Sequence, residues 1–311
     1  QYIVPLIAGK LLGLSEDQLV NAVGISGTHN VTLHIVDSSG EEYDMTKNIV
    51  YPFAAESGVI AALLAQESFT GPPHVIEGEN SLAYSTVNRK CDLSKLTEVS
   101  DIFRIMAIIM KAHTTDVTIQ GLINATLKLV REHDIRPADV KAVKARTSTR
   151  CEEHTNNPVK RHPKNKESAD HSSPYLIAMA ITEREVGPSQ FSPSRYSDPM
   201  VNQLIDKVHI EAYPEFDSSL LSAAIVEIET EQGAKYECRV DYPKGHPLNP
   251  LTDEELTDKF RSTASKPIKL MEQEQITRVV DTILNLEKLN DIGDLMQQLV
   301  VPAALERDYP V

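Results

Sequence analysis

Cysteine is scarce, long apolar runs are missing and positive charge is in deficit, and each shortage closes off a class of protein. The three cysteines, Cys91, Cys151 and Cys238, lie far apart, and no Cys-x-x-Cys pair occurs. Structural zinc sites and iron–sulfur clusters draw several thiolates from short spacings, so neither is expected, and no metal or other cofactor is assigned. Lone thiols fit a reducing compartment, which makes a cytoplasmic protein the expectation. No stretch approaches the roughly eighteen apolar residues that a membrane helix needs, so no membrane partner is expected. Lys and Arg number 31 against 45 Asp and Glu, a formal net charge of −14. Nucleic acid rewards a basic face and is therefore not expected as a partner.

What remains is the composition of an ordinary globular chain. Its 311 residues are 41% hydrophobic and 24% charged, enough for one large domain or two with an ample core. The chain opens at Gln1 without a Met, inside the apolar run Tyr2–Ala8. That run begins mid-pattern, so an upstream portion is expected.

The most informative stretch runs from Arg146 to Tyr175. A strand-like run, Val140–Thr149, precedes it and a helix-like apolar run, Pro174–Ile181, follows it. Between them lie more than twenty residues without periodicity, and a loop of that length in a compact domain is commonly functional or disordered. From Lys144 to Lys166 there are seven cations (Lys144, Arg146, Arg150, Lys160, Arg161, Lys164, Lys166) against two acids, Glu152 and Glu153. In an acidic chain this local surplus is a candidate seat for an anion. His154, His162 and His171 add groups that titrate near neutrality. A solvated surface loop is the competing reading. Cys151 beside His154 has the look of a nucleophile pair, although one such neighbour is more often incidental.

Taken in order, residues 1–30 read as two helices, the first ended by Gly13 and the second opened by the Ser15–Gln18 capping box. Tyr51–Gln66 reads as a helix rich in small residues, with Lys47 just before it. Ile102–Lys111 is an apolar run interrupted by Arg104, consistent with a buried strand or a helix start. Lys111, His113, Thr114 and Asp116 then form a polar cluster at the start of a good helix, Val117–Glu132, where a cap and an anion contact are both reasonable. Asp206–Glu211, Ala223–Thr230 and Tyr236–Tyr242 alternate apolar and polar residues. Glu231–Ala234 supplies the turn of an antiparallel hairpin. Tyr242–Pro247 breaks the sheet, and Thr252–Glu255 opens a helical C-terminal region.

These pieces resemble, in order, the MmgE/PrpD family, which holds 2-methylcitrate dehydratase, cis-aconitate decarboxylase and iminodisuccinate epimerase. The matching stretches are Ala8–Leu14 with Ala22–Gly27, Thr46-Lys47, Ala54–Ala65, Phe69–Pro72, Ala169–Tyr175, Asp241–Pro247, Lys259–Arg261 and Leu286–Leu295. The resemblance implies a mixed fold. An all-α helical domain is built from both chain ends, 1–104 and 248–311, around an inserted α+β lid, 105–247. It also implies a homodimer. Lys47 matches an active-site lysine, while Asp170, His171, Lys244 and His246 match positions lining the lid side of the cleft. The family's Asp-x-x-x-Thr and two further histidines lie upstream of the helix with which this chain opens. Its lid-entry lysine falls near Ile108, with Arg104 and Lys111 as neighbours. The histidine before the next helix falls near Asp116, with His113 three residues earlier.

The chemistry that these residues suit is carbanion chemistry on a small anionic polycarboxylate. Carboxylates want cations and helix N-termini, and Lys47, Lys111, Arg146, Arg150 and Lys244 are the candidates, with Asp170 and His246 completing the binding set. Proton transfer wants His or a carboxylate, which makes Lys47, His113, Asp116 and His171 the catalytic candidates. The expectation is a cofactor-independent hydro-lyase of the 2-methylcitrate dehydratase kind, working in propionate catabolism. Its cations are expected to converge from two separately folded parts. The alternatives are an isomerase, epimerase or decarboxylase on a related acid, and a catalytically incomplete binding fragment.

Overall fold

The computed structural model describes residues 2–29, 42–87, 92–94, 103–217, 222–265 and 271–301. Cys91 and parts of the irregular segments 31–47 and 80–100 fall outside them. The chain divides into two compact units, Gln1–Ser38 with Tyr43–Phe103, and Ser39–Glu42 with Arg104–Val311.

The first unit is helical, with α1 (Val4–Leu11), α2 (Glu16–His29), α3 (Val50–Gln66) and the short α4 (Leu82–Val87). Gly13 at φ +72° ends the first turn sequence, a left-handed conformation that glycine adopts without penalty. The capping box is present: Ser15 N donates to Gln18 Oε1 at 3.0 Å and Gln18 N to Ser15 Oγ at 3.3 Å. Ala22, Ile25, Ala61, Ala62 and Ala65 form the core of α2 and α3, joined by Ala8 and Leu14. Small side chains there let the helices approach closely.

The second unit is built on a mixed sheet. Its strands are β1 (Val140–Thr147), β2 (Val208–Ala212), β3 (Ala224–Thr230) and β4 (Lys235–Val240), in the order β2-β1-β3-β4. β1 runs parallel to β2 and antiparallel to β3, and β3–β4 is the hairpin expected from the sequence. Val143, Ala145, Val226 and Ile228 face inward, against α5 (Gln120–Glu132). The outward face is a charged lattice in which Lys235 meets Glu227 at 3.4 Å and Glu229 at 3.3 Å, and Arg146 meets Glu237 at 3.1 Å.

Arg146–Tyr175 is not a loop. Four helices occupy it: α6 (Thr149–Thr155), α7 (Pro158–Arg161), α8 (Lys166–Ala169) and the start of α9 (Ser173–Glu183). Each opens on a side-chain cap: Cys151 N donates to Ser148 Oγ at 3.3 Å, Val159 N to Asn157 Oδ1 at 3.0 Å, Ser168 N to Asn165 Oδ1 at 2.7 Å and Tyr175 N to Ser172 Oγ at 3.4 Å. The first three last two turns or fewer, so caps rather than an apolar period define them. α9 is the opposite case. It is buried from Ser173 to Ile181 because apolar or small residues surround its axis. The remaining helices are α10 (Pro193–Tyr196), α11 (Pro199–Asp206), α12 (Asp253–Ala264), α13 (Gln273–Leu284) and α14 (Gly293–Gln298). The apolar run before residue 111 is neither strand nor buried: Arg104–Ala107 is a 3-10 turn, and Ile105, Met106, Ile108 and Met110 are exposed.

Candidate functional site

Two clusters of polar groups lie on either side of the 113–116 turn. Gln120, fully buried, holds that turn: its Oε1 accepts from His113 N at 3.0 Å and its Nε2 donates to Thr115 Oγ1 at 2.9 Å.

The first cluster joins Asp116, His154, His171 and Asp170. Asp116 caps the 3-10 turn Val117–Ile119, its Oδ1 accepting from Thr118 N at 2.8 Å and from the Thr118 hydroxyl. Its Oδ2 lies 3.8 Å from His171 Nε2. His171 Nδ1 is bonded to Asp170 Oδ1, and Asp170 Oδ2 takes Lys166 Nζ at 2.9 Å. His154, from the end of α6, meets the His171 ring edge-on with centroids 6.0 Å apart. Burial works against the Asp116 carboxylate. The Thr118 hydrogen bonds and the neighbouring His171 and His154 outweigh it and hold the group below the usual carboxylate range. A carboxylate that orients one imidazole nitrogen, with a second carboxylate facing the other, is an arrangement that can accept and return a proton.

The second cluster surrounds His113 and opens on a cavity of about 500 Å³, lined by Asn124, Lys128, Arg131, Glu132, Lys244 and Glu255 among others. Asn124 is its hinge. Lys244 N can only donate, so the Asn124 oxygen that it reaches at 2.7 Å is Oδ1. Asn124 Nδ2 then faces His113 Nε2 at 3.0 Å, which makes Nε2 an acceptor, and Nδ1–H donates to Val186 O at 3.2 Å. The imidazole is therefore neutral. Burial, with Arg131 and Lys259 nearby, pushes its pKa down despite the Val186 hydrogen bond. The sign follows: the unfolded chain takes up the proton more readily, so this contribution to stability is full above the ordinary histidine value. It is lost as pH falls from neutral into the mildly acid range. His113→Asn is expected to flatten the dependence of the melting temperature on pH in that window. An unchanged slope would remove the assignment.

The other expected site residues are scattered. Arg146 lies on the outward sheet face, tied to Glu237 and 5.5 Å from the Tyr213 ring centroid. Arg150 and Lys111 are exposed, and the Lys111 carbonyl takes the Lys259 ammonium. The His246 ring lies 4.7 Å from the Tyr242 ring, tilted by 35°, its Nδ1 accepting from Leu248 N at 3.1 Å within its own loop. Lys47, in the 3-10 turn Met45–Asn48 of the first unit, sits 4.8 Å from the Tyr43 ring centroid. The cation surplus of 144–166 is largely engaged inside the unit. Lys160 is 1% exposed, and Arg161 donates to Ile205 O at 2.8 Å and Asn156 Oδ1 at 3.1 Å. Cys151 is fully buried, with burial pushing its thiol up, which rules out an activated nucleophile. Thr114 Oγ1 is buried and has no hydrogen-bond partner among the described residues. Lys128 and Arg131 escaped a sequence reading because charged residues on an amphipathic helix look like a solvated face. Asn124 carried a faint signal, since Asn is disfavoured mid-helix unless its amide is used.

The profile of the MmgE/PrpD C-terminal domain matches residues 113–285, more than half of the chain, and that of the N-terminal domain matches residues 4–92. The chain belongs to the MmgE/PrpD family. A cis-aconitate decarboxylase-like protein of Aspergillus oryzae is 28% identical over 302 residues, covering 93% of this chain and 61% of the relative. The cis-aconitate decarboxylase of Aspergillus terreus is 26% identical over 313 residues (96% and 62%). The human one is 24% identical over 307 residues (96% and 61%). This MmgE/PrpD chain thus spans about three-fifths of the length of the curated relatives that it matches. Both polar clusters fall within the match to the C-terminal domain.

Proposed function

We propose that this chain carries the working surface of a lyase for a citrate-like polycarboxylate, with cis-aconitate the first substrate to try. The observation that carries the reading is the cavity beside the neutral His113, lined by Arg131, by Lys128 with Glu132 at 3.9 Å and by Lys244 with Glu255 at 2.8 Å, cations that a bound carboxylate would draw from those acids. The relatives named above are cis-aconitate decarboxylases, which favours loss of carbon dioxide over loss of water. In decarboxylation the bond to one carboxylate breaks and carbon dioxide leaves. The electron pair spreads over the remaining double bond, and one proton is delivered to carbon. In this reading, cations stabilise the developing carbanion and the Asp116–His171 pair delivers the proton, while neutral His113, its one N–H given to Val186 O, serves as an acceptor.

A hydro-lyase acting on 2-methylcitrate is the second reading. Elimination of water needs one group to take the proton from carbon and another to protonate the departing hydroxyl. The paired carriers Asp116 and His171 favour it, since decarboxylation needs only a donor. Lys47 completes the proposed catalytic set, and Asp170, Lys111, Arg150 and His246 the binding set. Arg146, held by Glu237, is its outlier. A cytoplasmic homodimer and a division at 104/105 and 247/248 belong to the same proposal. Among the described residues no helix is long and apolar enough to cross a membrane.

The test supplies cis-aconitate, citrate and 2-methylcitrate separately and follows carbon dioxide release, ultraviolet absorbance and melting temperature. Carbon dioxide from cis-aconitate supports the decarboxylase, whereas gain or loss of a conjugated double bond without it supports the hydro-lyase. A raised melting temperature without turnover reduces the proposal to binding. No response to any of the three acids would sink it.

A further inference from the structure

We propose that Asp116, His154 and His171 form a binding site for one divalent transition-metal ion of the zinc class. Their nearest donor atoms all lie within 4.8 Å of one another, and Asp116 Oδ2 and His171 Nε2 are 3.8 Å apart. Zinc–nitrogen and zinc–oxygen bonds are about 2.0–2.2 Å and tetrahedral, so two donors on one ion stand about 3.4 Å apart. The Asp116–His171 pair, at 3.8 Å, is within about half an ångström of that spacing. A separation of 4.8 Å closes with about 1.4 Å of side-chain adjustment.

The donors come from three separate places: a capped 3-10 turn, the last turn of α6 and the junction of α8 with α9. The atoms on the far side of two of them are already held. Thr118 donates to Asp116 Oδ1, and Asp170 takes His171 Nδ1 while Lys166 steadies Asp170 at 2.9 Å. A carboxylate behind a ligating imidazole fixes its tautomer and orientation, and is the usual support of a metal-bound histidine. Charge agrees: among the described residues two carboxylates, Asp116 and Asp170, flank His171, with Lys166 bonded to Asp170. Two imidazoles and a carboxylate suit zinc and its neighbours better than magnesium or calcium, which prefer all-oxygen sets. Such a trio leaves a further coordination position for water or a carboxylate.

The consequence is inhibitory. An ion on Asp116 and His171 occupies the groups assigned above to proton transfer, so bound zinc competes with turnover and a chelator restores it. That consequence rests on the proposed lyase reading, whereas the site does not.

The experiment titrates Zn²⁺ into the full chain against a chromophoric chelator, without substrate, and repeats the titration with Co²⁺ to read the visible bands of a low-coordinate ion. A single ion per chain is expected. His154→Ala should weaken binding by at least about tenfold and Asp170→Asn by about 10- to 100-fold. Melting curves confirm that both variants fold. The rival is the exposed pair His162–Asp206, 3.0 Å apart, so His162→Ala should leave binding unchanged. Wild-type zinc affinity in His154→Ala, or loss of binding in His162→Ala, overturns the assignment. A chain that binds zinc but neither binds nor converts the acids sinks the lyase reading alone. One that converts cis-aconitate but ignores zinc sinks this one alone.

Discussion

His171→Asn is expected to lower turnover by about 10²- to 10⁴-fold, the range associated with one positioned acid–base group, while the melting temperature barely moves. Asn places an amide where Nδ1 was, so the bond to Asp170 Oδ1 and the Lys166–Asp170 pair behind it can persist. It has nothing at the position of Nε2, the atom that faces Asp116 at 3.8 Å. Stability and proton transfer are thereby separated. His171→Gln is the complement: its amide reaches toward Asp116, cannot exchange a proton near neutrality and should be as inactive as Asn. The measurement is the rate of carbon dioxide release from cis-aconitate, or of double-bond change with a citrate, for both variants. A normal rate in either means that His171 only shapes the turn and that the proton carrier lies elsewhere.

Gly245→Ala is expected to destabilise the second unit by more than about 3 kcal/mol, beyond what most single substitutions do. Two separate effects add. Gly245 has φ +90°, a conformation that costs a residue with a Cβ about 1–3 kcal/mol. A Cβ there would also lie 1.7 Å from Met110 O and 2.9 Å from Met110 C. That is backbone, not a side chain that can swing aside. The same pair is already joined by Met110 N donating to Gly245 O at 2.9 Å, so moving the chains apart breaks a hydrogen bond as well. Lys244 N, one residue earlier, is held by Asn124, which connects this strain to the His113 cavity. Gly233→Ala separates the two effects. Gly233 has φ +85° at the hairpin turn but open space around the missing Cβ, so it should show the conformational part alone. Thermal unfolding of both variants decides the matter, at roughly 2–4 °C per kcal/mol for a unit of this size. Equal shifts would remove the steric argument.

Elements written into consecutive residues were legible from sequence. The Ser15–Gln18 and Thr252–Glu255 boxes are hydrogen-bonded reciprocally as their spacing implies. The β3–β4 hairpin follows from alternation around a glycine turn, and α5 from an amphipathic run with a cap before it. What misled was the absence of a period. Single-turn helices such as α7 and α8 are too short to show a period, and what they bury is polar or small (Lys160; Glu167, Ser168 and Ala169), so the 146–175 stretch reads as a loop when only the apolar pattern is consulted. The Ile102–Lys111 run misled in the opposite way, since apolar residues there are exposed rather than buried. The cations were counted correctly and misread in role. Lys160 and Arg161 look like free positive charge in sequence, yet one is buried and the other ties main-chain carbonyls.

By itself the sequence determined the family, the lack of a long apolar run in these 311 residues and the chemical vocabulary of histidines, carboxylates and lysines, because composition, motif order and local capping are properties of neighbours along the chain. Only the tertiary structure decided which of those groups share a site. His113 was brought to Asn124 and Lys244, and Asp116 to His154 and His171, while Arg146 was turned to the opposite face of the sheet. Strand alternation and the packing of α5 and α9 against one face of the sheet set those directions, and both depend on contacts between residues tens of positions apart.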